Sequence, residues 1–310
     1  MKYKVAIVLS FFFGIFFQTG LFAQTISKEE LIFLTSEWKG ERFPDGRPKV
    51  PDSLLIRAKS INIDDAWTVL KNNGYLNQFE GGWKMVKDDV PVIGRAVTAM
   101  FMPSRPDVEK NIKARGTTRD GRKGNTNSWP IETLVKGDVY VADGFGKIGG
   151  GTLMGSTLAT SIFSKSGNGV VFNGAARDLG EIQEIKGFNA FVRDFHPSFL
   201  EEMVLMGLNT AIRIGNVMVL PGDLVLANRE GVLFIPAQMA EEVISTAEFV
   251  IRKDNFGFEM VKADRFSTGQ IDSQWTDEIK TEFLKWLEKH PELGKMTRAE
   301  LDKVMSKRSW

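Results

Sequence analysis

The sequence predicts an α/β fold, a mixed sheet core with helices packed outside it and helical extensions at its N- and C-terminal ends. Three observations predict it. Two segments share one form, a Gly-Asp turn, an apolar run, Ala-Asp/Asn and a closing glycine: "GDVYVADGFG" at Gly137–Gly146 and "GDLVLANREG" at Gly222–Gly231. Between them lies a third apolar strand, "GVVFNGAARD" at Gly169–Asp178. Helical stretches intervene at about Leu153–Ser166 and Ala237–Ile251. Strands alternating with helices build a sheet whose faces are covered by those helices.

In chain order, Lys2 and Lys4 precede the apolar run Val5–Phe17, and Leu21-Phe22-Ala23 precedes Gln24. A basic start, an apolar core and a small residue before the cut describe a secretory signal peptide cleaved after Ala23. The alternative is a membrane anchor, which needs roughly 20 apolar residues. Cleavage leaves an exported chain, periplasmic or secreted, without a stable membrane anchor. Ser27-Lys-Glu-Glu30 is a capping-box pattern that opens a helix to about Trp38. Gly40–Ser53 holds three prolines and two glycines and reads as a loop crossing the domain surface. Residues 52–73 place Leu54, Leu55, Ala58, Ala66, Val69 and Leu70 on apolar helical faces.

After Gly81-Gly82, Val92–Met102 reads as a buried strand, and the polar segment Pro103–Pro130 as an insertion or lid with room for one helix. A further strand is expected around Ala190–Arg193, and Gly231–Pro236 returns from its predecessor as a hairpin. The part from Arg265 onward is an extension. Within it, Thr276–His290 sets Ile279, Phe283, Trp286 and Leu287 on one helical face, and Thr297-Arg-Ala-Glu300 caps a final helix. The organisation is therefore a signal peptide at 1–23, an N-terminal extension at 24–60, a core domain at 61–251 and a C-terminal helical extension at 252–310.

A content of 43% hydrophobic and 25% charged residues suits a chain that buries a core. Removing the signal peptide takes two lysines from 40 Lys+Arg and none of the 39 Asp+Glu, moving the formal net charge from +1 to −1. A near-neutral surface argues against a nucleic-acid partner, and the basic stretch Lys113–Lys123 reads as a solvated loop. With no cysteine there are no disulfides. Only two histidines, His196 and His290, stand against a zinc site. Any metal would be a hard cation on oxygen ligands, Mg²⁺ first.

The strongest local signal is Arg177-Asp178, at the exit of a buried strand where sites of α/β sheets gather. Arginine grips a carboxylate bidentately, and the aspartate beside it is a divalent-cation ligand. The same residues also read as a surface salt bridge, or as a helix cap, since Asp178 precedes Leu179-Gly180-Glu181. Upstream, Gly149-Gly150-Gly151 and Gly155 let backbone approach a ligand at a helix start. That turn is neither a Walker loop nor a Rossmann glycine motif. His196, beside Pro197, reads as structural more readily than as a catalytic base.

Together, "LMGSTLA" after a Gly-rich loop, "NGAARDLGE" and the late "PGDLVLANREGVLFIP" resemble the RraA-like superfamily. That superfamily includes the regulators of ribonuclease activity A and the class II 4-hydroxy-4-methyl-2-oxoglutarate aldolases. The resemblance covers roughly Ile61–Ile251 and implies a ββα swivelling-type domain, assembled as trimers or hexamers with sites at subunit interfaces. It also implies that Arg177 binds the carboxylate of a small 2-oxo acid, that Asp178 helps hold Mg²⁺, and that the loop Gly151, Thr152, Leu153, Met154, Gly155 and Ser156 contacts the substrate. The reaction implied is retro-aldol cleavage or oxaloacetate decarboxylation through a metal-stabilised pyruvate enolate. One departure stands out. Where the aldolases carry a second aspartate for the metal's water shell, this chain has Ser156, which brings no charge. Glu181, Asp143 and Glu230 are further carboxylates, none placed by sequence as the base. Two functions follow: an exported Mg²⁺-dependent carbon–carbon lyase, favoured by the Arg177-Asp178 pair, or a non-catalytic trimeric binding or scaffold protein, favoured by Ser156.

Overall fold

The computed structural model describes residues 25–290 together with Ala299, Asp302 and Lys303. The signal-peptide stretch, and Thr297 and Glu300 of the last capping pattern, lie outside the described residues. Among the described residues no helix is long and apolar enough to cross a membrane.

The chain begins with helices α1 (Lys28–Leu34), α2 (Asp52–Arg57) and α3 (Ile63–Asn72), then strands β1 (Phe79–Glu80), β2 (Lys84–Met85) and β3 (Val92–Pro103). Next come α4 (Pro106–Thr118), β4 (Asp138–Asp143), β5 (Thr152–Met154), α5 (Ser156–Ser166), β6 (Val170–Ala176), α6 (Leu179–Gln183) and β7 (Ala190–Phe195). Strands β8 (Met203–Leu208), β9 (Ile212–Ile214), β10 (Val217–Val219), β11 (Leu224–Asn228) and β12 (Gly231–Ile235) follow. Helices α7 (Ala240–Lys262), α8 (Thr268–Ile271) and α9 (Asp277–Lys289) complete the described chain.

Ten strands form one mixed sheet in the order β1-β12-β11-β3-β4-β6-β7-β2, with β5 paired to β6 and β8 to β3. The centre, β3-β4-β6-β7, is parallel. Its strands are apolar on both faces, as parallel strands covered on both sides must be. On one face Val97, Tyr140, Phe172 and Val192 meet Ala159 and Ile162 of α5. On the other, Val139, Val141 and Val171 meet Ile212, Ile214, Val217 and Val219 of the small β9–β10 hairpin. At the antiparallel side, Leu224, Leu226, Leu233 and Ile235 pack under α2, α3 and α7.

Several sequence expectations are corrected in detail. Helix α1 stops at Leu34 rather than near Trp38, although Ser27 Oγ caps it by accepting from Glu30 N at 3.1 Å. The helical run 52–73 is two α-helices separated at Asn62, which stands in extended backbone. The helix expected from Leu153 begins at Ser156, because Thr152–Met154 is drawn into the sheet beside β6. The helix expected to end near Ile251 runs on to Lys262, since Phe249 and Phe256 continue its buried face. The basic stretch 113–123 is helical up to Thr118. The loop Gly40–Ser53 does not merely cross the surface. Val50 and Arg47 are buried, and Arg47 donates to both carboxylate oxygens of Asp138 at 2.9 and 3.0 Å.

The amphipathic face read at Thr276–His290 packs on its own chain. Ile279, Phe283 and Trp286 close with Phe249, Phe256, Phe266 and Trp275 into a separate apolar cluster on α7.

Candidate functional site

The site forms where β6 ends and α5 begins. Strand β6 carries Ala175 and Ala176 buried in the sheet, and then the chain turns sharply. Asp178 lies in the left-handed region (φ 60°, ψ 43°), which aspartate tolerates better than most residues. That turn sets where the Asp178 side chain goes. Asp178 stands at the cap position of α6 but its side chain makes no cap bond there. Its carboxylate points back to the neighbouring helix instead, where Oδ2 accepts from Ser156 N at 3.0 Å. Ser156 Oγ lies 3.4 Å from the same oxygen. Asp178 thus supplies from a distance the acceptor that Gly155, the residue before α5, has no side chain to provide.

Gly155 is required by this approach. A Cβ there would stand 2.5 Å from Asp178 Oδ2 and 3.0 Å from Arg177 Nε. Arg177 and Asp178 also form a loose, partly exposed ion pair. Arg177 Nη1 is 3.8 Å from Asp178 Oδ1, and both side chains are about one third exposed (33% and 29%). The guanidinium is held by packing: the Phe199 ring lies 4.4 Å from its Cζ.

Arg177 opens into a cavity of about 190 Å³. Of the loop predicted from sequence, Thr152, Met154 and Gly155 line it, whereas Gly151, Leu153 and Ser156 do not. Leu153 is buried in the core, and its carbonyl accepts from Asn127 Nδ2 at 2.9 Å. Two backbone donors of the loop are already committed, Gly151 N to Ile148 O and Ser156 N to Asp178. Asp178 itself is beside the cavity rather than among its walls. Other walls come from residues the sequence did not single out: Asn125 and Asn127 of the expected lid, Leu158 of α5, and Phe199-Leu200. Of the segment Pro103–Pro130, only its C-terminal end reaches the cavity. A signal for Phe199-Leu200 existed, an apolar pair in the short loop after His196-Pro197.

The remaining candidates sit elsewhere in the hydrogen-bond pattern. His196 Nδ1 lies 2.9 Å from Ser198 Oγ, which accepts from Gly150 N at 2.9 Å, so the histidine braces the glycine turn. His290 stacks on Trp286 at 4.3 Å. Asp143 Oδ1 accepts from Asn173 Nδ2 and from Phe145 N, both at 2.9 Å. Glu181 is exposed on α6 and Glu230 on the β11–β12 turn.

Mg²⁺ takes octahedral oxygen ligands, often one or two carboxylates with water and substrate atoms completing the shell. Asp178 Oδ1 fits that role, since Oδ2 is the oxygen engaged by Ser156. No group of three or more His, Cys, Asp or Glu among the described residues is arranged to hold a metal ion. The residues fit a cation shared with a bound acid, not one caged by protein alone.

Fold and site define a mixed α/β protein with an arginine lining a small cavity and an aspartate beside it at the end of a parallel strand. The chain belongs to the RraA-like family: residues 60–234 match its Aldolase/RraA model. That family contains both lyases and non-catalytic regulators, and its members are commonly oligomeric. The structure is similar to that of Streptomyces coelicolor RraAS2, an unusual member of the RNase ES inhibitor RraA protein family. The TM-score is 0.57 and identity 24%, over 68% of this chain and 99% of that one. An uncharacterized protein from Pseudomonas syringae pv. tomato superposes with TM-score 0.58 and 18% identity, over 73% of this chain and all of that one. At these identities the likeness is one of fold. A curated relative, an uncharacterized protein of Methanocaldococcus jannaschii, is 31% identical over 90 residues, 29% of this chain and 43% of its own length. The chain thus spans less than half of that relative.

Proposed function

We propose that the protein is a divalent-metal-dependent carbon–carbon lyase acting on a small 2-oxo acid, of the aldolase or oxaloacetate decarboxylase type. One observation carries this reading. The left-handed turn at Asp178 sets a guanidinium against a cavity and a carboxylate oxygen 3.8 Å from it. Neither the ion pair nor the bond to the start of α5 accounts for the guanidinium's opening into a cavity.

In this reading Arg177 takes the substrate carboxylate bidentately, and Phe199 restricts the guanidinium to the orientation that presents its fork. Asp178, braced by α5, would hold the metal with the acid's own oxygens. A cation held there would supply Lewis-acid polarisation of the 2-oxo group. Arg177 would set its positive charge beside the end of the acid on which negative charge builds. Ser156 steadies Asp178 but adds no negative charge, so metal affinity is lower than a two-carboxylate site would give.

The test is calorimetry of the mature protein with Mg²⁺ and oxalate, a mimic of the enolate, beside Asp178→Ala. Binding of oxalate that requires both Mg²⁺ and Asp178 supports the lyase. If wild-type protein binds neither, the reading fails. A non-catalytic trimeric binding protein is then the better account, one favoured by Ser156, which brings no charge. Export belongs to the same proposal, and N-terminal sequencing of secreted protein checks it: the mature chain should begin at Gln24.

A further inference from the structure

The basic stretch after α4 is not solvated throughout. Beyond Thr118 the chain folds back on the end of the helix: Asp120 N donates to Arg115 O at 3.2 Å, and Arg122 N to Gly116 O at 2.8 Å. This return sets Arg122 beside Arg115 and Trp129. The Trp129 ring packs so closely on Gly116 that a Cβ there would stand 2.3 Å from it. Arg122 Cζ lies 5.1 Å from the centre of the same ring. Trp129 is 2% exposed, and the side chains of Asp120 and Arg122 are 2% and 13% exposed.

Buried polar atoms normally find partners. Among the described residues nine buried side-chain nitrogens and oxygens have none, and five of the nine fall between residues 115 and 129. Four of the five can donate: Arg115 Nε, Arg122 Nη1, Thr126 Oγ1 and Trp129 Nε1. The fifth, Asp120 Oδ2, is 3.8 Å from Arg122 Nε, too far for a hydrogen bond. Two guanidiniums against one carboxylate leave a positive charge over. Burial lowers the pKa of Arg122, and the charge of Arg115 lowers it further against the opposing pull of Asp120. The C-terminal end of a helix favours cations, which accounts for arginines there but not for donors turned inward without acceptors. Water could fill the bonds but not the charge. A ligand that only accepts, and carries negative charge, answers both.

We propose that Arg115, Arg122 and Trp129 form a binding site for a small oxyanion. A guanidinium takes such a group through two parallel N–H donors, and the indole N–H adds another. Both arginines are partly exposed, so the site is reached from solvent. None of the three lines the Arg177 cavity, and the proposal is independent of the lyase reading.

The test is calorimetric titration of the mature protein with sulfate or acetate, at fixed ionic strength made up with chloride. Sulfate stands for a free inorganic oxyanion and acetate for the carboxylate of an organic acid; the tighter of the two identifies the source. Binding should weaken about tenfold or more in Arg122→Met, the loss of a charge-assisted pair, and persist in Arg177→Gln. At about ten times its Kd the anion should raise Tm by roughly 3–6 °C. Trp129→Phe keeps the ring and removes the N–H, so it should weaken binding severalfold, and it serves if the arginine variant does not fold. The proposal is overturned if neither anion binds better than chloride. It is also overturned if Arg122→Met and Trp129→Phe leave binding unchanged, or if binding disappears in Arg177→Gln.

Discussion

Arg47→Met tests the attachment of the N-terminal extension to the core. The Arg47 and Asp138 side chains are 3% and 0% exposed, and the two are joined by a bidentate pair at 2.9 and 3.0 Å. Without Arg47, Asp138 keeps the Val135 N–H at 3.0 Å and Arg95 Nε at 3.7 Å. Arg95 is itself committed to Asp52, Val50 O and Lys136 O. Removing one member of a buried pair leaves an under-compensated charge and costs about 3–5 kcal/mol. Methionine keeps an apolar stem of similar length but loses the guanidinium, whose Cζ lies 4.2 Å from the Phe43 ring, so the loss is chiefly of charge interactions. For a chain of this size that is a fall in Tm of roughly 6–20 °C. Circular dichroism measures it, and limited proteolysis should show new cleavage between residues 40 and 50. Adding Asp138→Asn should restore a large part of the loss, because an amide needs no counter-charge. A Tm change below about 2 °C for Arg47→Met would refute the reasoning, by showing that Arg95 and Val135 suffice for Asp138.

Three further predictions concern the site and the core. Arg177→Lys should weaken oxalate or 2-oxo-acid binding about tenfold or more while Tm stays within about 2 °C, since lysine lacks the fork and the residue is partly exposed. Gly155→Ala should lower both ligand affinity and stability, the latter by about 1–3 kcal/mol, because its Cβ collides with Asp178; an unchanged Tm and affinity would remove Gly155 from the argument. Burial pushes the Asp223 carboxyl up from 3.8 to about 7, against the Leu220 and Ala237 amides that lower it. Its proton is therefore held in the native state and lost from the unfolded chain between those values. Stability should fall as pH rises through that window, by at most about 1.4 kcal/mol per unit from this group, and Asp223→Asn should flatten the slope.

What was legible in the sequence follows the range of the interactions. The strands of the Gly-Asp repeats and the face of α9 were legible because burial pattern and turn chemistry are local. Arg177 and Asp178 were legible because they are neighbours in the chain. The repeats looked equivalent, but Asp138 meets a buried arginine 91 residues away whereas Asp223 meets backbone amides. That difference is tertiary. Strand β5 was read as helix because "TLMGSTLA" has helical composition, and its pairing with β6 overrides it. Strands β8–β10 are short and joined by tight turns, so no periodicity marked them. Asn125, Asn127 and Phe199 lie in loops that only the fold brings to Arg177; nothing nearby in sequence announces the two asparagines, and the apolar pair Phe199-Leu200 is a faint signal only.

The two oxygens of Asp178 divide their duties. Oδ2 completes the first turn of α5, and Oδ1 faces outward beside Arg177. A cation that drew on Oδ2 as well would have to take it from the helix, so bidentate capture of metal and an intact start of α5 compete for one atom. Leu158, a wall of the cavity, rides on that same turn, so a ligand that took Oδ2 from Ser156 N would also disturb the space beside Arg177, whereas one on Oδ1 alone would leave it intact.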